Sequence, residues 1–377
     1  PPEATLGVSD VLLPGHPEVS QDPEAFARMF ALFYANADPL NAHRLVQQQD
    51  TRYLVHNPPA LAPSVAALDA VYELPYARAV HPYYRKQGPV AAMETIPFSL
   101  TTHRGCFGEC RFCAIAVHQG RRVVSRSQAS IVREAEALTH HPDFKGIIAD
   151  VGGPTANMYA MACGRRSERA CADKSCLLPA PCKRLSVDHD PQIRLLRALR
   201  AVPGIRHVFV ASGLRYDLIL ADATSGRRYL EELLRHHTSG QLKIAPEHID
   251  DALLHLMGKP GRSQLEAFLA LFEEIGRRMP RRPFLTYYFM AAHPGCTLEQ
   301  MHRLRSYAES RLRLIPEQVQ IFTPSPSTYA TLMYCTGIDP FSGAPLFVER
   351  GLRAKIAQQE VLTAMPPKQR PTTGKKR

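Results

Sequence analysis

The sequence predicts an α/β protein: an open, six-stranded, TIM-like partial (β/α)6 barrel with an irregular N-terminal arm and a cysteine-rich insertion. Three observations carry this. From Ile96 to Phe322, short apolar stretches of strand length alternate six times with segments of helical periodicity. Such alternation argues for parallel strands with helices outside, and a closed barrel would need eight repeats. Residues 1 to 94 are proline-rich with one clear helical pattern, and residues 156 to 188 are rich in Arg, Lys, Ser, Pro and Cys with no hydrophobic pattern of their own.

In the arm, Phe26, Met29, Phe30 and Phe33 recur at helical spacing and predict a helix from Asp22 to Asn36. The prolines of HNPPAL and LPYARAVHPYY exclude regular helix or central strand, so these segments read as extended chain lying on a larger body. The core, 95–325, opens with strand one at 96–102, where Pro97 is tolerated only at the strand's start. Ser127 is a good N-cap for helix one, which places Ile131, Ala135 and Leu138 on one face. Strand two is 146–151. Asp190 and Pro191 form an N-cap and first-turn pair for helix two, with Ile193, Leu196 and Leu199 inward. Strand three is 207–212, helix three 227–237 and strand four 241–245. Helix four opens on a Ser263-x-x-Glu266 capping box. Strand five is 284–291, helix five starts at Thr297 with Gln300 three residues on, and strand six is 318–322. A C-terminal extension, 326–363, holds a short basic helix, and 364–377 reads as a disordered basic tail.

A chain of 377 residues with 45% hydrophobic content suits one large domain with extensions. It contains no bilayer-length apolar run and no signal-peptide pattern, so no membrane partner is expected. Seven of the nine cysteines fall between 106 and 182, which suits metal ligands better than a disulfide framework and implies a reducing compartment, most simply the cytoplasm. Five basic residues of the segment PPKQRPTTGKKR supply nearly half of the +11 net charge. The remainder is compatible with an RNA or DNA partner, although a solvated basic surface is the commoner explanation.

Strand one runs into the loop RGCFGECRFC, in which Cys106, Cys110 and Cys113 are spaced C-x3-C-x2-C. Three thiolates so spaced can turn toward one point, and soft thiolates select zinc, Cu(I) or iron–sulfur clusters. A tetrahedral zinc would need a fourth ligand from elsewhere. A cubane cluster would be left with one open iron. Phe112, Gly105 and Gly108 suit a tight, partly apolar wrap. A structural zinc knuckle or three buried thiols is the plainer alternative.

Beyond this loop, the segments DVGGPTANMY, ASGLRYD, LKIAPEH, AAHPG, FTPSPST and YCTGIDPF span most of the chain. With the loop, they resemble the YgiQ-like subfamily of radical S-adenosylmethionine (SAM) proteins, whose members have no assigned reaction. The resemblance implies a [4Fe–4S] cluster on Cys106, Cys110 and Cys113, with SAM on its open iron. It also implies a flavodoxin- or ferredoxin-like electron donor and an unknown substrate. YgiQ-like proteins carry a further N-terminal domain missing here, and a chain opening on Pro1 rather than Met reads as a fragment.

Barrel sites lie at strand C-termini, where chemically apt residues recur. Gly152 and Gly153 follow strand two and would leave backbone groups open to a ligand, matching the place where the family holds the SAM amino group. Ser212 and Arg215 follow strand three, as hydrogen-bond donor and carboxylate clamp, with Asp217 an alternative partner for the arginine. Glu247, beside His248, suits ribose hydroxyls or acid–base work. His293 precedes Gly295, where adenine would lie on the main chain, although it could equally be a packing residue. Cys163, Cys171, Cys176 and Cys182 form a second group, C-x7-C-x4-C-x5-C, suited to a second [4Fe–4S] cluster, to zinc or to reduced or disulfide-forming thiols, with His189 a spare ligand. Cys296 and Cys335 read as packing or rim residues. The pairs His140-His141 and His236-His237 sit at helix C-termini, where imidazolium suits the dipole. Two rival readings stand beside the radical enzyme of unknown substrate: an RNA-modifying, methylthiotransferase-like enzyme and a non-enzymatic, zinc-stapled binding protein.

Overall fold

The computed structural model describes residues 7, 9–164, 171, 175–317 and 319–364. The expected basic tail lies outside these, apart from Ala364.

The arm is more regular than its prolines suggest. Its helix α1 (Pro23–Ala35) is capped by Asp22, whose side chain accepts from the Glu24 amide at 2.9 Å. A small sheet of Val11–Leu12, Leu45–Gln49 and Arg52–His56 joins it, with a further helix over Val65–Tyr72. Glutamines and an exposed partner strand gave this hairpin no hydrophobic alternation to read. Phe30 of α1 packs on Tyr329 at a ring separation of 5.0 Å. The rest of the arm is fastened to the core by polar ties: Arg78 reaches the Pro97 carbonyl at 2.7 Å and Glu134, and Asp69 accepts from the Ser127 amide at 3.0 Å.

In the core, β1 (Ser99–Thr101) runs parallel to β2 (Asp150–Gly152) with Leu100 opposite Val151. The preceding pair Ile147–Ile148 runs parallel to β3 (His207–Val208). A parallel bridge joins Leu214 to Ile244 in β4 (Gln241–Glu247), which pairs in parallel with β5 (Phe284–Ala291), and that with β6 (Gln320–Ile321). Expected strands one, three and six shorten, and strand one starts only at Ser99, past Pro97. The ladder runs on through Phe209, whose amide donates to the Ile148 carbonyl at 3.0 Å, and beyond it the amides of Ala211 and Ser212 donate to the Asp150 carboxylate, at 2.8 and 3.0 Å, so a side chain takes over. Strand six keeps two paired residues, and Gln318 lies outside the described residues.

The helices follow their sequence signals with two corrections. Helix α2 (Gln128–Thr139) is capped by Ser127 and buries Ile131, Ala135 and Leu138. Helix α3 (Asp190–Arg200) buries Ile193, Leu196 and Leu199, with His189 one residue earlier as N-cap. Helix α4 (Gly226–Glu232) passes into a π-turn, Leu233–His237. Helix α5 (Arg262–Gly276) starts after Gly261, so the Ser263–Glu266 capping box does not form. Glu266 instead accepts from Tyr307 and Arg311, at 2.7 and 2.8 Å, a better use of a carboxylate facing another helix. Helix α6 (Leu298–Tyr307) does carry its reciprocal Thr297–Gln300 box. The second correction concerns His237, which is buried, faces the Val208 carbonyl at 2.8 Å, and is pushed down to about 4 by burial. It is neutral, not an imidazolium on a dipole. Among the described residues no helix is long and apolar enough to cross a membrane.

Candidate metal and nucleotide site

The cysteine loop leaves the core on a turn only glycine allows. Gly105 has φ +81°, and a β-carbon there would lie 1.9 Å from the Arg122 carbonyl oxygen. The loop backbone is then held at both sides: the Arg111 amide donates to the Met257 carbonyl at 2.9 Å, and the Arg111 carbonyl accepts from Ala330 at 2.8 Å. The Arg111 guanidinium lies 3.6 Å from the Phe341 ring centre. Glu109, at φ +43°, is fixed by Arg121 at 2.7 Å and by the Tyr34 hydroxyl.

So held, Cys106, Cys110 and Cys113 all open onto one cavity of about 310 Å³ at the strand C-termini. The sulfurs of Cys106 and Cys110 lie 3.2 and 3.8 Å from the point where a β-carbon on Gly108 would sit. Donors face them: the Gly108 amide reaches the Cys106 sulfur at 3.3 Å and Arg215 Nη1 the Cys110 sulfur at 3.5 Å. The Thr155 hydroxyl lies 3.4 Å from the Cys106 sulfur. Burial raises the Cys106 thiol and pushes Cys113 up to about 11, so thiolate form here calls for a bound cation. Among the described residues no three Cys, His, Asp or Glu side chains converge on a single-ion position. A cubane takes its thiolates on separate irons, and three thiols lining one cavity are a donor set of the kind such a cluster uses.

Several expected residues fall elsewhere. The Gly152 carbonyl is taken by the Thr102 amide at 2.7 Å and hydroxyl at 3.1 Å, and a β-carbon on Gly153 would strike the His103 ring at 2.6 Å. The Gly152 carbonyl and the Gly153 α-carbon thus meet the chain that follows β1, while Pro154 and Thr155 line the cavity. Ser212 donates to Asp150. Arg215 lines the cavity, but Asp217 holds two of its nitrogens, at 2.8 and 2.6 Å, leaving Nη1 for the sulfur. Burial alone would lower this guanidinium; Asp217 keeps it firmly cationic. Phe112 lines the cavity, and His293 sits behind it, fully buried, with Nδ1 2.8 Å from the Pro294 carbonyl.

Glu247 does reach the cavity, from a bulge at the end of β4 where its φ is +67°. Burial raises its carboxyl against the opposing pull of Lys259, 3.7 Å away. Lys259 was not foreseen, nor was Tyr288; both line the same cavity. Lys259 follows Gly258, whose left-handed φ of +67° ends a short helix over Asp251–Met257 and turns the chain inward. A Gly-Lys-Pro sequence signals that turn but not its direction.

The second cysteine group is gathered beside this loop. Cys163 pairs with Leu185 in a two-stranded ribbon, and the Cys182 amide donates to the Cys176 carbonyl at 2.8 Å. Burial pushes the Cys176 thiol up to about 12, with Glu109, Cys163, Cys171 and Cys182 adding to the effect. All nine cysteines are free thiols. His189 is not a spare ligand: its Nδ1 faces Asp222 at 2.7 Å and its Nε2 the Asn157 amide at 3.1 Å. Asp222 also accepts from the His189, Thr224 and Ser225 amides and the Ser225 hydroxyl. Burial alone would raise its carboxyl, yet these bonds hold it well below the usual range. Asp222→Ala strands those donors and is expected to cost about 3–5 kcal/mol in urea unfolding, with Asp222→Asn intermediate.

Residues 100–308 match the family described as Radical SAM superfamily, and residues 3–99 match Radical SAM N-terminal. The chain therefore belongs to the radical SAM superfamily, and its core is that of an enzyme whose family implies a [4Fe–4S] cluster and SAM. Within it the chain is similar to the YgiQ-like UPF0313 proteins. It is 50% identical over 352 residues to one from Fusobacterium nucleatum, covering 93% of this chain and 62% of that protein. With one from Methanocella arvoryzae it shares 45% over 351 residues, covering 93% and 57%. The chain thus spans little more than half the length of these curated relatives. Among solved structures, the methyltransferase TsrM from Kitasatospora setae, with cobalamin and a [4Fe–4S] cluster bound, is similar at 17% identity and TM-score 0.38, over 70% of this chain and 46% of that one. The cobalamin-dependent enzyme OxsB is similar at 13% identity and TM-score 0.42, over 76% and 34%. Both likenesses are distant and partial.

Proposed function

We propose that this chain is the catalytic core of a radical SAM enzyme, built on a six-stranded open barrel, in which Cys106, Cys110 and Cys113 hold the [4Fe–4S] cluster. The observation that carries the reading is the opening of all three thiols onto one cavity at the strand ends, beside a buried cation and carboxylate. When bound, cluster and SAM supply reductive cleavage of a carbon–sulfur bond and a 5′-deoxyadenosyl radical for hydrogen abstraction. The chain's own residues bind and orient. Gly108, Thr155 and Arg215 place donors on the sulfurs, which tunes a cluster's potential. Of the two cations lining this cavity, Lys259 is the one in reach of a ligand carboxylate, since Asp217 holds Arg215 through two short bonds while Lys259 stands 3.7 Å from Glu247. Glu247 is the acceptor for ribose hydroxyls, and Phe112 and Tyr288 are flat walls for a base. An external one-electron donor of flavodoxin or ferredoxin class completes the requirement. Neither the RNA-modifying nor the zinc-stapled reading gains an observation of its own.

The test is anaerobic reconstitution with iron and sulfide, followed by SAM and a strong reductant. Formation of 5′-deoxyadenosine without added substrate is the expected result. A fully reconstituted protein that leaves SAM intact would sink the proposal.

A further inference from the structure

One residue of the cysteine loop holds a backbone conformation that its side chain disfavours. Glu109, between Gly108 and Cys110, has φ +43°, in the left-handed region that glycine occupies freely and a residue with a β-carbon does not. Strain of this kind lasts only where the surroundings over-determine it. Freed, Glu109 would relax to negative φ and turn the peptide that leads into Cys110.

The groups that hold it come from elsewhere in the chain. Glu109 Oε1 accepts from Arg121 Nε at 2.7 Å and from the hydroxyl of Tyr34, near the end of α1. The Arg121 guanidinium lies 4.4 Å from the Tyr34 ring centre, so the three side chains hold one another. The Arg121 and Glu109 side chains are only 12% and 15% exposed, and a charge-assisted pair so sheltered is little screened. The Tyr34 ring is fixed in turn by Phe30 at 5.8 Å and Tyr329 at 4.5 Å. Next to Tyr329, the Ala330 amide donates to the Arg111 carbonyl at 2.8 Å. Tyr34 lies 75 residues before Glu109, in the arm and outside the segment that carries the cysteines.

We propose that Tyr34 is a positioning residue for the cluster loop: its hydroxyl, acting through Glu109, holds the left-handed turn that presents the Cys110 sulfur. The proposal rests on the reading of Cys106, Cys110 and Cys113 as cluster ligands. It gives the arm a part in the site, through a tyrosine that touches neither SAM nor the sulfurs.

Tyr34→Phe keeps the ring and its packing and removes the hydroxyl alone. Full chains are reconstituted anaerobically with iron and sulfide, and two readings are taken: the rate of iron loss to a chelator and the paramagnetic signal of the reduced protein. Tyr34→Phe is expected to lose iron about 10-fold faster than the wild type, the lower end of the range for partners that support a metal ligand, and to show an altered signal. Glu109→Gly adopts the left-handed turn without the clamp, so adding Tyr34→Phe to it should change iron loss by no more than about twofold. Glu109→Ala keeps the strain and loses the clamp, and should lose iron faster than Glu109→Gly. Iron loss at the wild-type rate in Tyr34→Phe would overturn the proposal. So would an equal effect of Tyr34→Phe in the wild-type and Glu109→Gly backgrounds, which is what mere packing of the arm predicts. Wild-type protein that takes up no iron would instead sink the cluster reading, and this proposal with it, so the two failures are told apart.

Discussion

Cys110→Ala is expected to lower 5′-deoxyadenosine formation by more than about 100-fold and to remove the first site's iron. Changes to groups that merely support a metal ligand cost about 10–100-fold, so loss of the ligand itself exceeds that range. Cys110 sits between Cys106 and Cys113 in the loop, and its sulfur faces Arg215 Nη1. Alanine there leaves a buried guanidinium with one nitrogen uncompensated and a cluster with two protein ligands. Cys335→Ala, at an exposed position away from the cavity, should leave both readouts within about twofold, a margin set by ordinary surface substitutions. Cleavage that persists in Cys110→Ala at the wild-type rate would refute the ligand assignment.

The second large effect is on acid stability. Burial pushes His103, His237, His248 and His293 each down to about 4 from an ordinary value of 6.5. Unfolded imidazoles take up protons near 6.5 and the folded ones only near 4, so unfolding binds protons between those values. Stability is therefore complete above pH 6.5 and falls as pH drops through that window. By pH 5 each histidine costs roughly 2 kcal/mol, against a net stability of about 5–15 kcal/mol for a typical domain. Glu247 works in the opposite sense, because a raised carboxyl favours the folded state as pH falls. One group does not offset four. Circular dichroism should show cooperative unfolding between pH 6.5 and 4, with replacement of His293 by glutamine shifting the midpoint downward if that variant folds. A melting temperature flat from pH 7 to pH 5 in the wild type would contradict the burial argument.

How the site emerges from the chain differs by residue. The C-x3-C-x2-C spacing brings three thiols close without any coordinates, because eight consecutive residues cannot separate those sulfurs far, and the structure opens all three onto one cavity. Glu247 was legible for a related reason, as strand ends in an α/β core point toward a shared rim. A Gly-Gly step has two uses, approach by a ligand or approach by a neighbouring ring, and only the coordinates reveal the His103 ring against Gly153. Arg215 was legible as a site residue, yet its nearest carboxylate, two positions on, took the clamp expected for a ligand. Lys259 was invisible, since its burial follows from the direction of one left-handed turn.

By itself the sequence determined the parallel α/β alternation, the helix faces of α2 and α3, the capping box of α6 and the placing of three cysteines on one short loop. Periodicity and close spacing are local properties, and local properties survive without a fold. The tertiary structure alone decided which strand-end groups face the cavity, that Lys259 meets Glu247 there, that His189 is spent on Asp222, and that Cys176 and Cys106 share one apolar cluster. Each of these joins residues far apart in the chain, and their meeting depends on how the strands stack, which no single segment encodes.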